Sequence, residues 1–271
     1  MKLIGASKYP FIVLKQKSST SKIYPLFRDD KGIDSMYSIS FQHGRSYIVG
    51  KEGDRYIISK GNGLCYTDKY ALKTSENNYD VWGLLGKEDA LRDYILCNEA
   101  FQMGIRTNIM DAVIELAHER IIGHSIYTPY LLQYSVKCPY RISDAPFMDV
   151  SLIKDFTAEW DTLNRYCYKE KYLIAADILY GYLKIMHGNK FLHNALTSQN
   201  ITWNLELLDF ELACSPSYPY SETDSKRHII DLFEREAIHV YQIILDIANI
   251  LREEVNFTLL KDIMNGYGFK L

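Results

Sequence analysis

The spacing of apolar residues changes half-way along the chain. From 41 to 66 it has the β-branched and aromatic runs and turn punctuation of strands. Ser46-Tyr-Ile-Val49 and Tyr56-Ile-Ile58 flank Gly50-Lys-Glu-Gly53-Asp, which predicts a hairpin. Leu84, Leu85, Leu91, Ile95, Leu96, Ala100 and Met103 recur at close to 3.6 residues and predict a helix over 84–103, ended by Gly104. Ile109–Ala117 predicts a strand or short helix, and the Tyr-, Ile- and Leu-rich run Ser125–Val136 predicts strands. Thereafter the period is helical. Ser151–Tyr168 and Glu170–Met186 read as amphipathic helices, the second with Leu173, Ile174, Ile178, Leu179, Leu183 and Met186 inward and His187-Gly188-Asn189 as its stop. Pro216 and Pro219 mark a loop, Ser225–Arg252 a long helix and Thr258–Met264 a short one. Residues 1–40 read as a decorating segment without chemistry and 66–82 as a polar loop; no internal repeat is visible. Strands followed by helices imply an α+β chain, with a β-rich lobe over 1–147 and a helical lobe over 148–271.

Composition narrows the function classes. The chain has 271 residues, enough for two small lobes sharing a cleft, and a net charge of −3, which lacks the basic footprint of nucleic-acid binding. Its 22 tyrosines suit strands and packing. Cys65, Cys97, Cys138, Cys167 and Cys214 are scattered, with no CxxC pair, which argues against a zinc site or disulfide framework and for a reducing compartment. No signal-like apolar region opens the chain and no apolar run approaches the roughly 20 residues that span a bilayer, so no membrane is expected and the chain reads as cytoplasmic.

The chemistry concentrates in Phe191–Glu211, a loop, a short strand, a turn and a second short strand ending in an acid. His193 and Asn200 are seven apart, and Asp209 follows nine later. An Asn amide and an Asp carboxylate brought together across a hairpin can hold a divalent cation that in turn holds phosphates, as a protein-kinase-like catalytic loop does. Asp209 ends the apolar run Leu205-Glu-Leu-Leu, where packing gives no reason for an acid. His193 reads as a core histidine organising the loop. Where such a loop carries its catalytic Asp, this chain has Ala195. In the first half, Lys60 ends a strand before Gly61 and Gly63, so its ammonium can reach phosphates where the glycines let backbone approach. Such a lysine needs an acidic partner on the neighbouring helix. Asp93 and Glu99 are candidates, but six residues apart they point to different faces, so at most one serves. Gly44-Arg45 before a strand suits a phosphate-covering hairpin, and Lys137 and Arg141 could meet a triphosphate tail or be surface charge.

Taken in order, these pieces resemble the SelO (selenoprotein O) family of kinase-fold protein adenylyltransferases. Gln42-His43-Gly44-Arg45-Ser-Tyr-Ile-Val-Gly50 resembles its GDGRAxxLG hairpin, and Ile58-Ser59-Lys60-Gly61-Asn62-Gly63 its LKGxG strand end. Leu91–Thr107 resembles its IREFLxSEAMxxLGIPT helix, and Tyr134–Arg141, loosely, its TRVAxSxxR segment. Leu192–Asn200 and Leu208-Asp209-Phe210 resemble its CHGVxNTDN and DYG. The likeness covers roughly 41–215 and lacks the family's C-terminal redox tail. It implies a two-lobed protein-kinase-like fold, with ATP and Mg2+ as cofactors. Lys60, Gly44, Arg45 and Asp80 would meet nucleotide, Lys137 and Arg141 would stand for two phosphate-binding arginines, and Asn200 and Asp209 would hold the metal. Departures are plain. Gln199 stands at the proton acceptor, the helix needs a one-residue insertion that leaves Asp93 or Glu99 as the lysine's partner, and Asp-Phe-Glu replaces Asp-Tyr-Gly. His-Asn-x-Leu-x-x-x-Asn with Leu-Leu-Asp-Phe-Glu also resembles choline kinases and antibiotic phosphotransferases, where Ala195 would replace the catalytic Asp.

Two expectations follow. One is a transferase moving AMP from ATP onto a hydroxyl of an unidentified protein or small-molecule acceptor, with Glu206 or Glu211 as substitutes for the base. The other is a pseudokinase, an interaction domain with or without nucleotide.

Overall fold

The structure, a computed structural model, describes residues 2–28, 32–39, 45–63, 83–122, 125–219 and 229–270. It divides into two compact units, Met1–Ile95 with Asn108–Tyr140, and Leu96–Thr107 with Arg141–Leu271. The secondary structure is mixed, an antiparallel sheet and helices.

The first unit holds an eight-stranded sheet. In chain order its strands are β1 (Lys2–Lys8), β2 (Phe11–Gln16), β3 (Leu26–Arg28), β4 (Asp34–Ser38), β5 (Ser46–Glu52), β6 (Arg55–Lys60), β7 (Ile109–Leu116) and β10 (Tyr130–Val136); the small pair β8 (Arg120–Ile122) and β9 (Ser125–Tyr127) stands apart. The spatial order is β2-β7-β10-β6-β5-β4-β1-β3. The 1–40 segment, expected to be decoration, therefore supplies four of these strands. Its weak periodicity has a cause, since β2 is largely exposed and β3 has three residues.

The order carries a geometric consequence. β1 and β2 stand six strand spacings apart yet are joined by Tyr9-Pro10 alone. A flat sheet would separate them by about 29 Å at 4.8 Å per strand, whereas the link can span only about 11 Å. The sheet must curl until its two ends approach. Side chains agree: Phe27 of β3 shares one core cluster with Ala112, Ile114 and Leu116 of β7 and Leu131 of β10. The Tyr9 N–H donates to Pro25 O at 3.1 Å and the Ala117 N–H to Pro10 O at 2.7 Å, closing the ends together. Gln133 of β10 pins the β2–β3 connection, accepting from the Tyr24 N–H at 3.1 Å and donating to Lys22 O at 2.8 Å. Tyr24 lies so close to Gly50 that a Cβ there would sit 2.8 Å from its hydroxyl. Gly50 is thus a strand residue left bare for a ring, and the hairpin turns at Gly53 (φ 57), beyond Glu52 paired with Arg55.

Helix α1 runs Lys87–Gln102, with Lys87–Ile95 in the first unit and Leu96–Gln102 in the second. The second unit is otherwise helical: α2 (Val150–Ala158), α3 (Lys171–Gly188), α4 (Ile229–Leu251) and α5 (Phe257–Gly266). The predicted helix 151–168 stops earlier, passing into a 3-10 turn over Glu159–Leu163. The amphipathic character expected of α3 is also revised. Every residue from Tyr172 to Leu183 is buried, which makes α3 the unit's central helix, packed by α4 and α5. α4 keeps one inward stripe, Leu232, Ala237, Val240, Ile243, Ile244, Ile247 and Ala248. Among the described residues no helix is long and apolar enough to cross a membrane, and Cys97, Cys138, Cys167 and Cys214 are free thiols.

Candidate functional site

Lys60 is the last residue of β6, and its side chain is 2% exposed. Its Nζ lies 2.8 Å from Oδ2 of Asp93, which is equally buried. Asp93 sits nearly two turns into α1 and is buried, so the helix delivers a carboxylate to the strand end. Glu99 points elsewhere, accepting from the hydroxyls of Ser215 at 2.9 Å and Ser217 at 2.6 Å. Of the two acids left open by sequence, the structure places Asp93 beside Lys60.

The segment after Lys60 is fixed on every side. Gly61 (φ 96) donates its N–H to Arg45 O at 2.9 Å, and a Cβ there would fall 2.4 Å from Tyr130 O and 2.8 Å from the Leu85 Cβ. Only glycine fits, for both reasons. Asn62 donates through Nδ2 to Leu26 O at 2.5 Å, and the Tyr47 hydroxyl donates to Gly63 O at 2.7 Å. Arg45 thus touches this segment through its carbonyl. Gly44 and Asp80 lie outside the described residues. Lys137 is not brought to Lys60. Leu132 of β10 pairs with Lys60, but Val136 pairs with Tyr56 at the other end, about 14 Å along the ladder. There Lys137 meets Asp54 at 3.8 Å, both well exposed.

The second unit carries the other residues. The Asn200 amide donates through Nδ2 to Ala195 O at 2.8 Å, which leaves its Oδ1 as the acceptor end. Its backbone carbonyl accepts from the Leu208 N–H at 2.8 Å, so Asn200 and Asp209 are neighbours across a hairpin. That hairpin is held by single bridges, Ile201 to Leu207 and Arg141 to Thr202, where two short strands were expected. Arg141 is anchored by its own N–H, which donates to Asp144 Oδ2 at 2.8 Å. Asp209 has left-handed backbone (φ 67, ψ 66). Phe210 beside it goes into the core, edge-on to Phe191 and against His193. A left-handed aspartate is strained by about 1 kcal/mol or more, and such residues gather at functional sites.

His193 is fully buried, and its Nε2–H donates to Leu208 O at 2.9 Å, which assigns the tautomer. Burial pushes its pKa below the ordinary 6.5, so the ring is neutral and braces the loop. Gln199 is exposed and Ala195 half-buried, and neither can take a proton. Sequence reasoning missed Glu236. This buried acid of α4 accepts from the Asn194 N–H at 2.6 Å and from His187 Nε2 at 2.8 Å, and so ties the loop to the end of α3. A signal existed, for Glu236 stands four residues from both Leu232 and Val240, on the apolar stripe.

No protein-family profile matches the chain, and no curated protein matches it. Among solved structures, the kinase domain of a Toxoplasma gondii specific rhoptry antigen is similar with a TM-score of 0.41 and 11% identity, over 87% of this chain and 76% of that one. A mutant of the Neurospora crassa PAN3 pseudokinase is similar with a TM-score of 0.39 and 12% identity, over 93% of this chain and 55% of that one.

Proposed function

We propose that this chain is an ATP- and magnesium-dependent transferase of protein-kinase-like fold that moves AMP onto a hydroxyl of a protein or small acceptor. The observation that carries the proposal is the buried Lys60–Asp93 pair at a strand end beside Gly61. Burying two charges together is a poor way to gain stability, since apolar residues of similar volume do as well or better. An ammonium held by a carboxylate at a strand end instead suits an anionic ligand, and a lysine with an acidic helix partner is the arrangement that grips nucleotide phosphates in kinase-like sites.

The metal expectation fits the donors present. Asn200 offers an amide oxygen whose orientation is fixed by Ala195, and Asp209 offers a carboxylate across the same hairpin, both hard oxygen donors of the kind magnesium takes. Held there, the ion would neutralise phosphate charge. In the first unit Lys60 would bind phosphate; in the second Asn200 and Asp209 would hold the ion and His193 would keep their loop in register. The absent proton acceptor at Gln199 does not exclude turnover, because general-base catalysis contributes typically about 10²–10⁴-fold while positioning and charge neutralisation dominate such transfers.

A second reading, a catalytically impaired pseudokinase, is favoured by Ala195 and Gln199 together. ATP labelled at the α- or γ-phosphate separates the possibilities. Label moving to an acceptor from the α position supports AMP transfer, and label from γ alone replaces it with phosphotransfer of the choline- or aminoglycoside-kinase type. No transfer with retained ATP-dependent stabilisation supports the pseudokinase. The companion variant is Asp209→Gly. Glycine accepts the left-handed backbone, so the unliganded protein should melt within a few degrees of wild type, yet the magnesium-dependent part of the thermal shift with ATP should vanish. An unchanged magnesium-dependent shift would remove Asp209 from the site.

A further inference from the structure

Ser46 opens β5, and its Cα pairs directly with that of Lys60 on β6. Directly opposed residues of an antiparallel pair share one sheet face, with Cβ atoms about 5 Å apart. The Ser46 side chain therefore stands beside the Lys60 stem. It is 5% exposed, and its Oγ has no hydrogen-bond partner. A buried hydroxyl with nothing to bond is unfavourable, and each one in a native structure calls for an explanation.

The surroundings supply one. Among the described residues of the first unit, the buried side-chain atoms without partners are Ser46 Oγ, Ser59 Oγ and Asn62 Oδ1. All three fall on β5, β6 and the turn after Lys60. Such atoms scattered through the sheet would suggest loose packing, whereas three within two residues of Lys60, along the chain or across the ladder, mark a place where polar groups await something else. Ser59 precedes Lys60 on β6 and so faces the other side of the sheet. Asn62 is turned toward Leu26 by its Nδ2 bond. Ser46 alone shares the face of Lys60 in regular strand register.

We propose that Ser46 is a phosphate-binding residue: its Oγ–H donates to an oxygen of the nucleotide phosphate tail that Lys60 attracts. This rests on the nucleotide reading above. A serine hydroxyl has one proton to give, and a phosphate oxygen beside an ammonium is the acceptor that best repays its desolvation.

The test is Ser46→Ala, which deletes one atom and adds none. Binding of ATP, ADP and adenosine, each with magnesium, is measured by titration calorimetry on the full chain, together with the melting temperature of the unliganded protein. The expected result is a melting temperature equal to or above wild type, ATP and ADP affinities lower by about ten- to a hundred-fold, and adenosine affinity unchanged. ATP affinity within about twofold of wild type, where wild type binds, overturns the role of Ser46 and leaves the nucleotide site standing. A variant that unfolds or melts lower shows that the hydroxyl serves the fold, which also overturns it. Wild type that binds neither ATP nor ADP overturns both proposals.

Discussion

Replacing Asp93 by Asn changes the shape of the Lys60 site least and its electrostatics most. The amide fills the carboxylate's volume but leaves the buried ammonium facing a neutral group 2.8 Å away. Removing one member of a buried ion pair costs about 3–5 kcal/mol, because the remaining charge keeps its desolvation and loses its compensation. Lys60 can relieve this by shedding its proton. From a free-solution value of about 10.4, that takes about 4.6 kcal/mol at pH 7, at about 1.4 kcal/mol per unit, which caps the penalty near the top of the same range. A whole domain is stable by only about 5–15 kcal/mol, so the effect is large. Urea unfolding followed by circular dichroism should show the midpoint falling by at least about 1 M, given slopes of about 1–3 kcal/mol per molar. The double variant Lys60→Met with Asp93→Leu should recover most of the loss, since no charge is left to bury. A loss below about 1 kcal/mol in Asp93→Asn, the level of an exposed pair, would refute the reasoning, because it would mean that water reaches both groups. A double variant as unstable as the single one would refute it too, by assigning the loss to packing.

Two further outcomes are expected. Glu236→Ala should destabilise the chain by about 2–4 kcal/mol, since it strips a charged acceptor from the Asn194 N–H and from His187. Amide exchange at Asn194 should then rise at least tenfold while β6 amides stay protected, and equal loss of protection in both would remove its local role. For His193, burial lowers the folded pKa, so the unfolded chain takes up the proton first as pH falls. Its contribution is intact above the ordinary 6.5 and is lost below it, at a slope of at most about 1.4 kcal/mol per pH unit. His193→Phe should flatten stability between pH 7 and 5 by that share, with the part from His239, also shifted down by burial, remaining. An unchanged slope would show that His193 titrates normally.

The parts legible in sequence were those written in local periodicity or in short spacings. The β5–β6 hairpin, α1, α3 and α4 lie close to where hydrophobic period placed them, and the His193–Asn200–Asp209 spacing marked a real hairpin. The choice between Asp93 and Glu99 was not legible, because it depends on which face of α1 meets the strand end. The curling of the sheet was hidden for a similar reason, since strand order is a long-range property and β1 and β2 look like neighbours in sequence. Lys137 and Arg141, open in sequence between triphosphate contacts and surface charge, could not be placed from spacing. Four residues apart in the chain, they close different structures, one at the far end of the β6–β10 ladder and one against Thr202.

The unfavourable features of this chain are not spread evenly. A buried ion pair sits at Lys60, unpartnered hydroxyl and amide oxygens lie within two residues of it along the chain or across the ladder, and of the left-handed non-glycine residues among those described Lys190, Asn194, Leu205 and Asp209 fall on or beside the loop of a buried neutral histidine, with Cys167 and Arg252 elsewhere. Each weakens the folded state by an amount comparable to a typical point mutation, and each has a cheap cure: an apolar pair, an alanine, a glycine. Stability alone gives no reason for these choices to accumulate on the strand end and the loop that sequence patterning had already singled out. The missing carboxylates at Ala195 and Gln199 sharpen the point. The residues suited to moving a proton are absent, while those suited to holding phosphate and cation remain, in conformations that disfavour the empty protein. That imbalance makes ligand binding the function to measure first and the identity of the transferred group the question that follows from it.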